Sequence, residues 1–299
     1  MRRSPPPLRW AAPLLAAAAA CAPSLGSPPW LVDSPRVLAL VADAPELAPG
    51  ASSTFRALVA GPQGELDLSS ATWAICAEAP ALTSSGPIAP ACLAPLPPAG
   101  QGASPTLATS SDACSLFGPE GSSVSPRPHA PDATGGYYQP VQFSFAGALA
   151  FDEERLLCPL AQASFSVARQ YQQTYPPNRN PILLGLDASV SGAPVSPGAV
   201  PPGAQVSLSL RWSADSNETF PVLDAASLTL VSQTETMRAS WFATGGALAQ
   251  SESAPDLSLT SSSNSWTAPS QPGPVFLWAV LRDSRGGAAW LSLRAVVEP

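Results

Sequence analysis

The 299-residue chain carries 37 prolines, a formal charge of −7 and only 12% charged residues. Its 14 basic residues are all arginine and form no basic patch, which excludes nucleic acid, whose binding rests on lysine and arginine contacts to phosphate. Proline lacks an amide donor and fixes φ, so this density disfavours long helices; short Val-, Leu-, Phe-, Trp- and Thr-rich runs between Pro/Gly/Ser clusters predict an all-β protein.

Residues 1–20 read as an export signal: Arg2, Arg3 and Arg9 at the head, an apolar run from Ala11 to Ala20 broken by Pro13, then small residues. The run is about half the ~20 residues that cross a bilayer as a helix. Ala18-Ala19-Ala20-Cys21 resembles the lipobox of bacterial lipoproteins, with Ala18 where leucine is usual. The resemblance implies cleavage before Cys21, lipidation of Cys21 and, with Ala22 in second place, an outer-membrane lipid partner held through an N-terminal acyl anchor. Ordinary cleavage after Ala-x-Ala fits the same residues and leaves a soluble N-terminus. Residues 21–34 read as a flexible tether. The roughly 280 residues after the signal suggest two domains.

Strands are predicted at 35–41, 53–59 and 71–76, separated by turns at Pro49-Gly50 and Gly61-Pro62-Gln63-Gly64. Residues 79–136 form a Pro-, Ala-, Ser- and Gly-rich insertion, longer than the ~12–15 residues a structureless loop reaches, and are expected to be tied down or partly disordered. Residues 137–146 read as a strand; 156–173 fit a closing strand or a short helix equally. Three prolines between Tyr175 and Pro181 make a stiff connector. The predicted organisation is a first domain over 35–176, a linker over 177–181 and a second domain over 182–299. In the second, 205–212 alternates most cleanly; 227–231, 237–243, 274–282 and 288–297 follow, the last two joined by a hairpin turn carrying Gly286-Gly287.

Trp241-Phe242-Ala243-Thr244-Gly245-Gly246, then Trp266-Thr267-Ala268-Pro269, then Pro272-Gly273 before an apolar strand and Arg282-Asp283-Ser284-Arg285-Gly286-Gly287, together resemble bacterial Ig-like and PKD-like β-sandwich domains. The first half, with Pro49-Gly50 and Trp73, is similar but interrupted. The resemblance implies two immunoglobulin-like sandwiches in tandem, in the manner of uncharacterised bacterial surface lipoproteins, and brings no catalytic residues.

Chemistry is sparse. His129, the one histidine, lies in a Pro-rich stretch with no G-x-S-x-G or H-E-x-x-H motif. Asp152-Glu153-Glu154, the densest acidic run, lacks calcium-loop spacing and reads as a solvated turn. Cys76, Cys92, Cys114 and Cys158 lack C-x-x-C spacing and are expected as disulfides; three pairings are possible, and Cys76–Cys92 with Cys114–Cys158 is favoured because each would anchor one end of the insertion. Tyr137 and Tyr138, after Gly135-Gly136, are candidate contact residues. The tryptophans form either an aromatic platform or core, with core favoured on alternating strands. The Asn217-Glu218-Thr219 sequon is read as chance. No catalytic residue, metal or cofactor is expected. The expected function is a non-enzymatic, lipid-anchored envelope module for binding, adhesion or scaffolding, with envelope proteins or polysaccharide as partners. The alternatives are a carbohydrate- or peptidoglycan-binding module and an accessory subunit of a secreted hydrolase.

Overall fold

Alternation of apolar and polar residues places Val206, Leu208, Leu210 and Trp212 inward and Gln205, Ser207 and Arg211 outward along one strand, and the same logic builds most of the molecule. The computed structural model describes residues 26–80, 86–118, 136–160, 163–195, 199–224 and 226–298, folded as two immunoglobulin-like β-sandwiches.

The first sandwich contains β1 (Arg36–Ala42), β2 (Glu46–Leu47), β3 (Ser52–Gly61), β4 (Gly64–Glu65), β5 (Thr72–Ile75), β6 (Gly100–Gln101), β7 (Thr106–Ala108), β8 (Tyr138–Phe145) and β9 (Ala148–Leu156). One sheet runs β1-β3-β4 with β7 also paired to β3; the other runs β2-β9-β8-β5-β6. Phe55, Trp73, Val141 and Phe143 fill the space between them.

The second sandwich contains β10 (Leu183–Val190), β11 (Ala193–Pro194), β12 (Ala199–Val200), β13 (Gln205–Trp212), β14 (Thr219–Asp224), β15 (Thr229–Thr234), β16 (Arg238–Ala243), β17 (Ala247–Leu248), β18 (Glu252–Ser253), β19 (Ser261–Thr267), β20 (Gly273–Arg282) and β21 (Ala288–Val297). Its sheets run β11-β10-β13-β19-β17 and β12-β21-β20-β16-β18, with β14–β15 as a separate hairpin. Trp212 and Trp266 from one sheet meet Trp241 from the other in its core.

A third cluster joins the halves. Leu38, Ala39, Val41 and Leu58 on the outer face of β1–β3 pack against Trp278, Val280 and Ala288 on the outer face of β20–β21. This explains why Val37–Ala42 is apolar without alternation: a strand buried on both faces needs apolar side chains on both. The five fully buried tryptophans each donate their indole N–H, Trp73 to Gly102 O, Trp212 to Asn217 Oδ1, Trp241 to Ser253 Oγ, Trp266 to Gly245 O and Trp278 to Glu65 Oε1. Core packing, not an exposed platform, is therefore their role.

Three expectations change. Within the stretch expected as a tether, residues 30–32 are docked: Val32 is fully buried, and its N–H donates to Ala243 O while Ala243 N–H donates to Trp30 O. Trp30, Leu31 and Val32 are apolar, and docking them beside β16 removes that surface from water. The acidic run is no turn but part of β9, paired residue by residue with β8. Residues 165–174 resolve the helix–strand tie as helix α2 (Phe165–Thr174), which follows the short helix α1 (Ala113–Phe117); Ser164 Oγ caps α2 by accepting from Val167 N–H. The insertion is tied at several points: β6 pairs with β5, β7 with β3, and both disulfides fall in or beside it.

Candidate functional site

Residues 175–180 run between the two sandwiches, and their polar groups knit a buried ionic hub. Glu46 from β2 accepts from Arg155 Nε at 3.0 Å, from Tyr175 Oη and from Asn178 N–H at 2.7 Å. Arg285, in the β20–β21 turn, is 0% exposed. Its Nε donates to Glu235 at 2.6 Å, its Nη1 to Pro176 O at 2.8 Å, and its Nη2 to Glu218. The guanidinium lies 4.4 Å from the Phe220 ring centroid. Asp283 holds the turn itself: its Oδ1 accepts from the N–H groups of Arg285 and Gly287, and Gly286 supplies the positive φ of 104°. Asn180 spans the halves, donating to Ala42 O and accepting from Ala288 N–H. Positive and negative charges thus alternate from Arg155 through Glu46 and Arg285 to Glu235.

Beside this hub opens a cleft of about 700 Å³. β8 and β9 supply Tyr138, Phe151, Asp152 and Glu153; β20 and its turn supply Arg282 and Ser284. The end of α1 and the segment before β8 complete it with Phe117 and Tyr137. Burial pushes the Asp152 carboxyl up to about 7, against the pull of Arg282. Glu154 rises to about 9 through burial and repulsion from Asp152 and Glu46. In the hub, burial with Asp283 nearby lifts Glu235 to about 7, and burial lifts Asp283 to about 6. Burial lowers the Arg282 pKa.

The two candidate tyrosines take different roles. Tyr137 is buried among Ala113, Phe117 and Leu156 and shows only an edge to the cleft. Tyr138 is half-buried; its hydroxyl accepts from Arg155 Nη1 at 2.9 Å and its ring lies 5.7 Å from that guanidinium. A Cβ on Gly136 would meet both the Arg155 guanidinium and the Tyr138 hydroxyl, so any larger residue there would have to displace these side-chain ends. The disulfides are Cys76–Cys92 and Cys114–Cys158. Asn217 is used internally: its Oδ1 takes the Trp212 indole N–H and its Nδ2 donates to Leu257 O. Cys21 and His129 lie outside the described residues. Among the described residues, no three or more His, Cys, Asp or Glu are grouped to hold a metal ion, and no helix is long and apolar enough to cross a membrane.

Sequence reasoning missed the hub. Glu46, Glu218 and Glu235 sit singly in turns and strand ends, and Arg285 fills an unspecified position of the 282–287 turn motif. The available signal was their rarity: in a chain this poor in charge, each Arg or Glu has few partners, so pairing is selective.

No protein-family model matches the chain, and no curated protein matches it. Among solved structures it is similar to a nucleoside hydrolase-related hypothetical protein from Saccharophagus degradans associated with carbohydrate metabolism, with 19% identity over 41% of this chain and 26% of that one and a TM-score of 0.22. It is also similar to the D00-D0 domain of intimin, with 8% identity over 89% of this chain and 99% of that one and a TM-score of 0.26. Against the Yersinia pseudotuberculosis adhesin InvE the identity is 9%, over 86% of this chain and 58% of that one, with a TM-score of 0.24. The chain thus spans about a quarter of the first of these. At such scores the likenesses carry no argument, and the fold stands on the strand pairings described above.

Proposed function

We propose that the protein is a non-enzymatic, exported binding module, held at the outer membrane by a lipid on Cys21, that engages an envelope partner through the cleft at the sandwich junction. One observation carries this reading: a concave site of about 700 Å³ sits where two sandwiches are locked together, with aromatic, carboxylate and guanidinium groups converging in it. Concave, partly apolar sites with a few converging polar groups are where ligands bind. Cys76, Cys92, Cys114 and Cys158 are engaged in disulfides and the sole histidine sits in a Pro-rich stretch without a catalytic motif, so no cysteine–histidine pair among them speaks for an enzyme.

The test uses the mature full chain and its Phe151→Ala/Glu153→Gln variant in pull-downs from solubilised envelope. A partner retained by the parent and lost by the folded variant supports the reading; equal retention by both, or by neither, overturns the cleft as the contact site. Mass spectrometry of the mature N-terminus tests the anchor: an unmodified residue at the cleavage site removes it. A second reading, carbohydrate or peptidoglycan binding, is favoured by Phe151 lying beside Asp152, Glu153 and Arg282, since sugar rings stack on aromatics while their hydroxyls pair with carboxylates and guanidinium. Retention on immobilised polysaccharide or peptidoglycan, lost in the same variant, selects it.

A further inference from the structure

Two acceptor atoms inside the first sandwich are left without a donor among the described residues: Oε1 of Gln139 and Oε1 of Glu154. Gln139 is 0% exposed and Glu154 2%. They are direct cross-strand partners in the β8–β9 ladder, so their side chains leave the same face of the sheet with Cβ atoms about 5 Å apart. The orientation of the Gln139 amide is fixed, because its Nε2 donates to Cys76 O at 2.9 Å; turned over, it would set oxygen against oxygen. A buried acceptor without a donor is costly, and here two such acceptors belong to residues at paired positions on one face of the sheet.

A hydrogen on the carboxyl satisfies both. We infer that Glu154 is held as the neutral acid, its O–H donated to Oε1 of Gln139, and that this shared proton braces the β8–β9 wall of the cleft until alkaline pH removes it. The surroundings favour the neutral form. Asp152, two residues away on the same face, and Glu46 from β2 both act on Glu154 with negative charge. β8 presents the uncharged Val141 and Gln139, and β1, packed on β9, presents Leu40 and Ala42. Arg155 and Arg285 are engaged by Glu46. A cation would require more oxygen ligands than these two atoms, and no suitable group of three acidic or thiol or imidazole side chains lies among the described residues. The inference does not depend on what the cleft binds.

The test compares the mature chain with Glu154→Gln, whose amide N–H can donate to Gln139 in the same place. In the infrared difference spectrum at pH 7.5, the parent loses a carboxylic-acid C=O band on substitution; loss of carboxylate bands instead overturns the inference. Thermal melts of the variant are flat between pH 8 and 10 while the parent's midpoint falls; parallel curves also overturn it. Should the variant not fold, carbon-13 NMR of glutamate-labelled parent decides: one carboxyl carbon titrating above pH 8 supports the inference, and none doing so ends it. Calcium or sodium ions that raise the parent's midpoint, but not the variant's, would place a cation there and refute the proton.

Discussion

Replacing Arg285 with Met tests whether the hub holds the halves together by charge or merely by bulk. Met keeps the unbranched stem and a contact with the Phe220 ring but removes the donors to Glu235, Glu218 and Pro176. Breaking a buried pair by deleting one partner costs about 3–5 kcal/mol, because Glu235 is left buried without a counter-charge. The loss depends on pH with a definite sign. Glu235 has a folded pKa of about 7 against an ordinary 4.5, so the stability tied to its neutral form is present below about 4.5 and is lost as pH rises through about 7. Without Arg285 its pKa climbs further, so at pH 5.5 the orphaned carboxyl takes a proton and is relieved. Calorimetry at pH 8 should therefore record a midpoint lowered by roughly 6–20 °C, at about 2–4 °C per kcal/mol for a chain of this order of size. At pH 5.5 the loss should shrink to about half or less. Equal losses at both pH values, or less than about 1 kcal/mol at pH 8, would refute the reasoning. The Arg285→Met/Glu235→Leu double variant removes both charges and should recover part of the loss.

The parent itself should melt higher at pH 5 than at pH 9. Asp283, Asp152, Glu235 and Glu154 all have folded pKa values raised to between about 6 and about 9, so each costs stability as pH rises from its ordinary carboxylate value through its own folded value; a midpoint that climbs from pH 5 to 9 would contradict this. Removing Cys114–Cys158 by double alanine substitution should cost about 4 kcal/mol, and removing Cys76–Cys92 about 3, from their sequence separations of 44 and 16; denaturant unfolding that gives the reverse order would count against a chain-entropy origin. Trp278→Ala should cost about 3–5 kcal/mol and, because Trp278 also donates to Glu65 across the junction, should split calorimetric unfolding into two transitions; a single transition at the parent's midpoint would exclude that role.

What could be read from the chain follows from where alternation survives. Strand 205–212 faces one core on one side and is recovered residue for residue. β9 is not legible in the sequence because Asp152, Glu153 and Glu154 look solvated in isolation, whereas the structure surrounds them with β8 and with Arg282 and the β20–β21 turn, the last two remote in sequence. β1 and β20 read as strands from the sequence, and the structure explains their unbroken apolar runs by covering both faces at the junction. Of the three disulfide pairings the sequence allows, the one favoured for anchoring each end of the insertion is the one present. The cleft was not legible, since Tyr138, Glu153 and Arg282 meet only when the two sandwiches dock.

The clasp between Val32 and Ala243 has a consequence for how the molecule is made. Residues 30–32 are completed by a strand more than two hundred residues later, so they cannot settle until that strand has emerged. Contacts of such long sequence separation slow folding, and the apolar outer face of β1–β3 stays uncovered in the interim. That interval is where a holding chaperone would matter most.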